Sequence, residues 1–197
     1  MSNPAFIVDG QTEKKIIQAL CPNQPVKILG CNGKDVSYAA AAKKAASLIR
    51  LLNKNYPIII LFDREERTDS STQIAGKLFE AIISQGVQPV DLLIGVPDRM
   101  LENWMLSDID AVNRHYKSSF LTLSPDGING KNHMKFLTDG HEGYYETTDG
   151  PQIFCKCNPK TMAQISPSFF DFLNKIGSLD CSWLIQNHCE SENHARI

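Results

Sequence analysis

A chain of 197 residues is long enough to bury one sizeable core and too short for two comfortable domains. Its hydrophobic share of 42% and charged share of 21% are those of an ordinary globular protein. A formal charge of −2 excludes any overall electrostatic pull toward nucleic acid, so a surface for DNA or RNA must be a local patch or be completed by metal ions or a partner. The N-terminal MSNPAFIVDG lacks the basic and apolar regions of a signal peptide. The longest apolar run, Pro57 to Phe62, falls far short of the roughly 20 residues that span a bilayer. Six cysteines in a chain of this size form no dense framework, so reduced thiols in a cytoplasmic protein are the expectation.

The first half alternates strand and helix. Ala5 to Asp9 is a short apolar run ending in an acid and followed by Gly10, which allows close backbone approach. Thr12 is placed to cap a helix over Glu13 to Leu20, which the Cys21-Pro22-Asn23 break ends. Pro25 to Leu29 reads as a second strand, and an Ala- and Lys-rich helix runs from about Val36 to Asn53. Pro57 to Phe62 is continuous, β-branched and unalternating, as a strand buried on both faces should be. A helix over Ser70 to Gln85, a strand over Asp91 to Val96 and a helix over Met100 to Ser107 follow. This order predicts an α/β fold with a mainly parallel sheet, right-handed crossovers and helices on both faces.

The second half is less regular. Ser124 to Gly130 carries turn signals, Gly150 to Asn158 reads as a late strand, and Pro167 to Gly177 as a helix with an aromatic face. The polar tail from Asn187 is expected to fray. The expected division is a core over 1–120 and a C-terminal extension over 121–197 packed on the same domain.

Parallel sheets bind ligands beyond the carboxyl ends of their strands. The first strand ends in Asp9, with Glu13 a turn later; the third ends in Asp63-Arg64-Glu65-Glu66; beyond the fourth, Asp98 leads into Glu102. Acids gathered on one rim repel one another, and a divalent cation is the usual remedy. Hard oxygen ligands suit Mg²⁺ or Mn²⁺, ions that can activate water for phosphodiester cleavage. The plainer alternative is that these acids cap helices or form a solvated charge run.

Phe6-Ile7-Val8-Asp9-Gly10-Gln11-Thr12-Glu13 resembles the first Toprim motif, a strand ending in Glu-Gly with a further acid soon after. Ile58-Ile59-Ile60-Leu61-Phe62-Asp63-Arg64-Glu65 resembles the second, a strand ending in Asp-x-Asp. Glu102-Asn103-Trp104-Met105-Leu106-Ser107-Asp108 is similar to the Glu-x-Trp-Leu-Leu-x-Asp signature of standalone Toprim-like bacterial proteins. The resemblance continues through Asn129-Gly130-Lys131 to Leu137, Gly150 to Cys155 and Ser166 to Phe172, and so covers most of the chain in order.

The resemblance implies a Toprim-like Rossmannoid fold and metal-dependent phosphodiester chemistry, as in topoisomerases, primases and nucleases of the overcoming-lysogeny kind. It implies Asp9, Asp63, Glu65 and Glu102 as ligands of Mg²⁺ or Mn²⁺, and Asp9, Glu13 and Lys131 as catalytic groups. It also implies a DNA substrate before RNA, an ATPase partner and a role in defence against phage. Homo-oligomers and a degenerate, non-catalytic regulatory subunit are further expectations. Two positions depart from the family: Asp9 replaces its Glu, and Glu65 replaces its second Asp. Charge is kept and reach changes by one methylene, and a displacement of ~1 Å can cost about 100-fold in rate.

Lys131, in a Gly-Lys-Asn loop, is placed to contact the scissile phosphate, with Lys135 in reserve and Arg64 and Lys34 as further nucleic-acid contacts. Gly30-Cys31-Asn32-Gly33-Lys34 lacks the spacing of a phosphate-binding P-loop and reads as a turn. Cys155-x-Cys157 with His188, Cys189 and His194 fits structural zinc poorly. Trp104, Phe169, Phe170 and Phe172 read as core, and His115 and His141 as surface residues.

Overall fold

The structure is a computed structural model and describes residues 3–31, 36–88, 91–121, 124–141 and 143–176. Strands β1 (Ala5–Val8), β2 (Val26–Ile28), β3 (Ile58–Leu61) and β4 (Leu92–Gly95) form one all-parallel sheet in the order β2-β1-β3-β4. Phe6 pairs with Val26 on one side and Ile59 on the other, and Ile60 pairs with Ile94. Every residue of β1 and β3 is buried, the physical reason their sequences do not alternate.

Alternate residues of these strands feed two cores. Ala5, Ile7, Ile58 and Ile60 face α2 (Tyr38–Leu51) and α3 (Ser71–Ile83). Ala41, Ala42, Ala45 and Ala46 of α2 have no exposed surface, so this helix lies close to its neighbours on a stripe of methyl groups. Phe6, Val8, Ile59 and Leu61 face α1 (Gln11–Leu20) and the later helices. Those are α4 (Leu101–Leu106), α5 (Ile109–Tyr116), α6 (Gly130–Leu137), α7 (Asp149–Phe154), α8 (Pro159–Ile165) and α9 (Pro167–Ile176).

Trp104 lies at the centre of that second core, edge-on to Phe169 and stacked on Phe172, each at 5.1 Å between centroids. Its indole N–H donates to Ser168 Oγ at 2.9 Å. Phe170, by contrast, points out of the core and is 54% exposed. A Cβ on Gly95 would run into the Phe172 ring, so glycine there lets α9 close onto β4.

Several expectations need correction. The stretch Gly150 to Asn158 is not a strand: its first part lies in α7, and Asn158 caps α8 through its side-chain oxygen, with Pro159 at the start. Proline in a first helical turn lacks only an N–H that would have no partner anyway, so Gly-Pro here stands in the first turn of a helix rather than in a strand. Thr12 is not a cap; α1 starts at Gln11, two residues earlier than expected, after Gly10. Cys21 is disulfide-bonded, against the expectation of thiols throughout. Cys31, Cys155 and Cys157 are free. His188, Cys189, His194 and the polar tail lie outside the described residues. Among the described residues, no helix is long and apolar enough to cross a membrane.

Candidate functional site

The chain leaves β1 toward β2 on one side of the sheet and leaves β3 toward β4 on the other, which makes the gap between β1 and β3 the topological switch point. Asp9 directly follows β1, and Asp63 lies two residues beyond β3. Between them opens a cavity of about 280 Å³ lined by six carboxylates: Asp9, Glu13, Asp63, Glu65, Glu102 and Glu146. Lys131, Thr12 and Thr147 also line it. Five of the six acids were expected on this rim, and the structure brings all five to it.

Three of the acids, Glu13, Glu65 and Glu102, have a local reason for their place. Gly10 is extended (φ −139°), so positive φ is not what glycine supplies there. Its N–H donates to Glu13 Oε2 at 3.0 Å, which ties Glu13 to the first turn of α1. Glu65 has left-handed backbone (φ +57°), and its N–H donates to the Arg99 carbonyl at 2.6 Å, Arg99 being left-handed as well (φ +68°). Non-glycine residues held this way cost of order ~1–2 kcal/mol each, and such strain gathers at functional loops. Glu102 projects from the first turn of α4 and is buried. Its Oε1 accepts from the Tyr144 hydroxyl at 2.9 Å.

Burial dominates the electrostatics. It pushes the Asp9 carboxyl above the usual carboxylate range, although backbone N–H groups of Cys31 and Asp63 and the charge of Arg67 oppose it. Glu13 is raised by burial and then by Asp9, against the pull of its own N–H and that of Gly10. Asp63 keeps some accessible surface, but its carboxyl is enclosed, and burial followed by Glu13, Asp9, Glu102 and Glu65 raises it well above the ordinary value. Burial also raises Glu102, although Lys131 and Tyr144 pull it down. The Tyr144 hydroxyl is raised by burial and by Glu102, and stays a donor.

Lys131 is not in a loop; it lies in the first turn of α6. A Cβ on Gly130 would come within 2.6 Å of Asn103 Oδ1 and 2.8 Å of Asn103 N, so only glycine lets α6 approach α4 this closely. That approach sets Lys131 at the cavity mouth, with Nζ 2.7 Å from Glu146 Oε2. Burial favours the neutral amine, but Glu146, Glu102 and Asp63 outweigh it and raise the Lys131 pKa.

Two other cations expected here, Arg64 and Lys135, are elsewhere. Arg64 pairs with Asp98, whose other oxygen accepts from the Gly127 N–H. Lys135 is in the last turn of α6, exposed, and does not line the cavity. Lys34 lies outside the described residues. His115 is not a free surface residue, since its Nε2 lies 3.6 Å from Asp149 Oδ1. Sequence reasoning missed Glu146 and Tyr144, which stand in an irregular stretch with no motif to mark them. Among the described residues, no three His, Cys, Asp or Glu side chains are arranged to hold one metal ion.

A family model described as a domain of unknown function, DUF4276, matches residues 8–177. The chain belongs to the DUF4276 family. The matched span takes in all six carboxylates and Lys131, so the whole rim lies within the family domain. No curated protein and no solved structure matches this DUF4276 chain.

Proposed function

We propose that the cavity is a Toprim-type site for Mg²⁺- or Mn²⁺-dependent cleavage of nucleic-acid phosphodiesters, DNA before RNA. One observation supports this reading most: β1, α1, the end of β3 and α4 all deliver carboxylates to the switch point, where burial makes their charges costly together. The donors are hard oxygens, which fit Mg²⁺ or Mn²⁺, and Asp9, Asp63, Glu65 and Glu102 would hold the ion after side-chain adjustment. When bound, such an ion supplies a water of lowered pKa and offsets charge on the leaving oxygen. Glu13, raised by burial above the usual carboxylate range and not among those ligands, is suited to hold a proton near the reacting water, while Asp9 would act as a ligand beside it. Lys131 is placed at the mouth to meet a phosphate oxygen.

The Toprim resemblance adds an ATPase partner and a role in anti-phage defence to this reading. The test is incubation of supercoiled plasmid, single-stranded DNA and RNA with Mg²⁺ and with Mn²⁺. Wild-type protein should cut, Asp63→Ala should not, and equal activity of the two would sink the assignment.

A second reading, a non-catalytic Toprim subunit for regulation or assembly, is favoured by how self-contained the site is. Glu13 accepts from Gly10, Glu102 from Tyr144, and Lys131 pairs with Glu146. Calorimetry decides between them: heat of Mg²⁺ or Mn²⁺ binding that vanishes in Asp63→Ala supports the enzyme, and its absence in wild type supports the subunit.

A further inference from the structure

Glu146 is the acid of this cavity that no motif marked, and it differs from the others in position. Asp9, Glu13 and Glu102 are each less than a tenth exposed, whereas the Glu146 side chain is 39% exposed and the Lys131 side chain 37%. The pair therefore stands at the mouth, above a floor of buried carboxylates. The base of Lys131 has little freedom, because Gly130 is closed against Asn103 and the Lys131 N–H lies 3.2 Å from Met100 Sδ. Only its side chain can turn.

Glu146 is carried on a strap that is fastened on both sides. Before it, Tyr144 is buried and bonded to Glu102; after it, the Thr147 carbonyl accepts from Lys15 Nζ at 2.7 Å. Asp149 Oδ2 then accepts from the Tyr145 N–H at 2.7 Å and from the Tyr116 hydroxyl at 3.1 Å. The carboxylate is thus presented to Lys131 by a braced backbone rather than by a free loop. A carboxylate oxygen 2.7 Å from an ammonium has the geometry that a phosphate oxygen would take there. An ion pair this exposed adds little net stability, so a ligand can displace it cheaply.

We propose that Glu146 is an internal competitor of the ligand's phosphate, occupying Lys131 until a phosphodiester takes its place. The inference rests on reading the cavity as a phosphate-handling site. It makes Glu146 a residue that sets affinity and not one of the metal ligands. A substrate gains entry by exchanging one Lys131 contact for another, while a weakly held anion leaves the Glu146 pair intact.

The test measures binding of a short, fluorescently labelled single-stranded DNA with phosphorothioate linkages, in Mg²⁺ at low salt. Glu146→Gln should bind about threefold to fivefold more tightly than wild type, the size expected when a half-exposed ion pair no longer competes. In a Lys131→Met background the same substitution should give no gain. Asp139→Asn, which removes an exposed charge just beyond α6, should change affinity less than about twofold. With labelled DNA kept well below its Kd for both proteins, inorganic phosphate should displace it from Glu146→Gln at lower concentration than from wild type; equal displacement there would confine the effect to the polymer and overturn competition with phosphate for Lys131.

Equal affinity of Glu146→Gln and wild type, or a gain that persists without Lys131, overturns the proposal. So does loss of Mg²⁺ binding in Glu146→Gln, which would make Glu146 a ligand. Should Glu146→Gln fail to fold, as thermal unfolding would show, Glu146→Asp serves instead, with a smaller gain of the same sign expected. Cleavage by wild type is scored separately: a Lys131-dependent gain in a protein that cuts nothing refutes the nuclease and keeps the competitor, and cleavage without such a gain does the reverse.

Discussion

Asp63 concentrates the cost of this site in one side chain. Its carboxyl is enclosed and faces Glu13, Asp9, Glu102 and Glu65, so its charged form is the least favourable on the rim. Asp63→Asn should therefore raise the melting temperature of metal-free protein at neutral pH by about 2–4 °C, in line with removal of an uncompensated buried charge. It should also abolish any rise in melting temperature on adding Mg²⁺ or Mn²⁺. Scanning calorimetry in EDTA and in each ion checks both.

The four raised carboxyls of the rim, Asp9, Glu13, Asp63 and Glu102, make a further residue-scale statement. A raised folded-state pKa means that folding favours the protonated form. The stability these groups give is complete below the ordinary carboxylate pKa of about 4 and is lost as pH climbs through their higher folded values. Metal-free protein should thus melt progressively lower as pH rises above the carboxylate range toward neutrality. Mg²⁺ should reverse that loss at neutral pH and do little in acid, where protons already neutralise the rim. A metal-free melting temperature that rises over the same interval would contradict the electrostatic account.

At the scale of elements, the decisive contact is α6 against α4. Gly130→Ala would force a Cβ into Asn103, and the helix carrying Lys131 must shift to accept it. Overpacking of this kind costs about 1–3 kcal/mol, and the loss should appear in urea unfolding. DNA binding should weaken along with stability, because Lys131 moves with the helix. Ser168 ties α9 to α4 in a comparable way. It accepts from Trp104 Nε1 and from the Asp98 N–H, so Ser168→Ala leaves buried donors without a partner and should cost about 1–3 kcal/mol.

Across the whole molecule, the sheet has one face covered by α2 and α3 and the other by α1 with α4 to α9. Met134, Ile153, Phe154, Met162, Phe169 and Phe172, all beyond residue 120, sit in the same core as Phe6 and Val8. A chain cut after residue 120 would leave that face open to water. It should aggregate or bind a hydrophobic dye, where the full chain elutes as a compact species in size-exclusion chromatography. A monomeric, cooperatively unfolding fragment would show that the later helices are dispensable.

The sequence by itself determined the parallel strands and the five acids at or shortly after their ends, because β1 and β3 are buried on both faces and local hydrophobicity then suffices to mark them. It also marked Trp104, Phe169 and Phe172 as core. The structure changed what lies beyond residue 120, where the Gly-Lys read as loop opens α6 and the stretch from Gly150 read as a strand lies in α7. Those glycines serve close approach: Gly130 against Asn103, and Gly150 against Thr12 and Tyr144. Contact with residues as distant in the chain as Asn103 and Thr12 leaves no periodic trace, so neither helix could be read locally. For the same reason only the tertiary structure decided that Arg64 is taken by Asp98 and that Glu146 stands against Lys131. Carboxylates at strand ends are a local consequence of the sheet; the partner each charge finds depends on how distant helices are brought together.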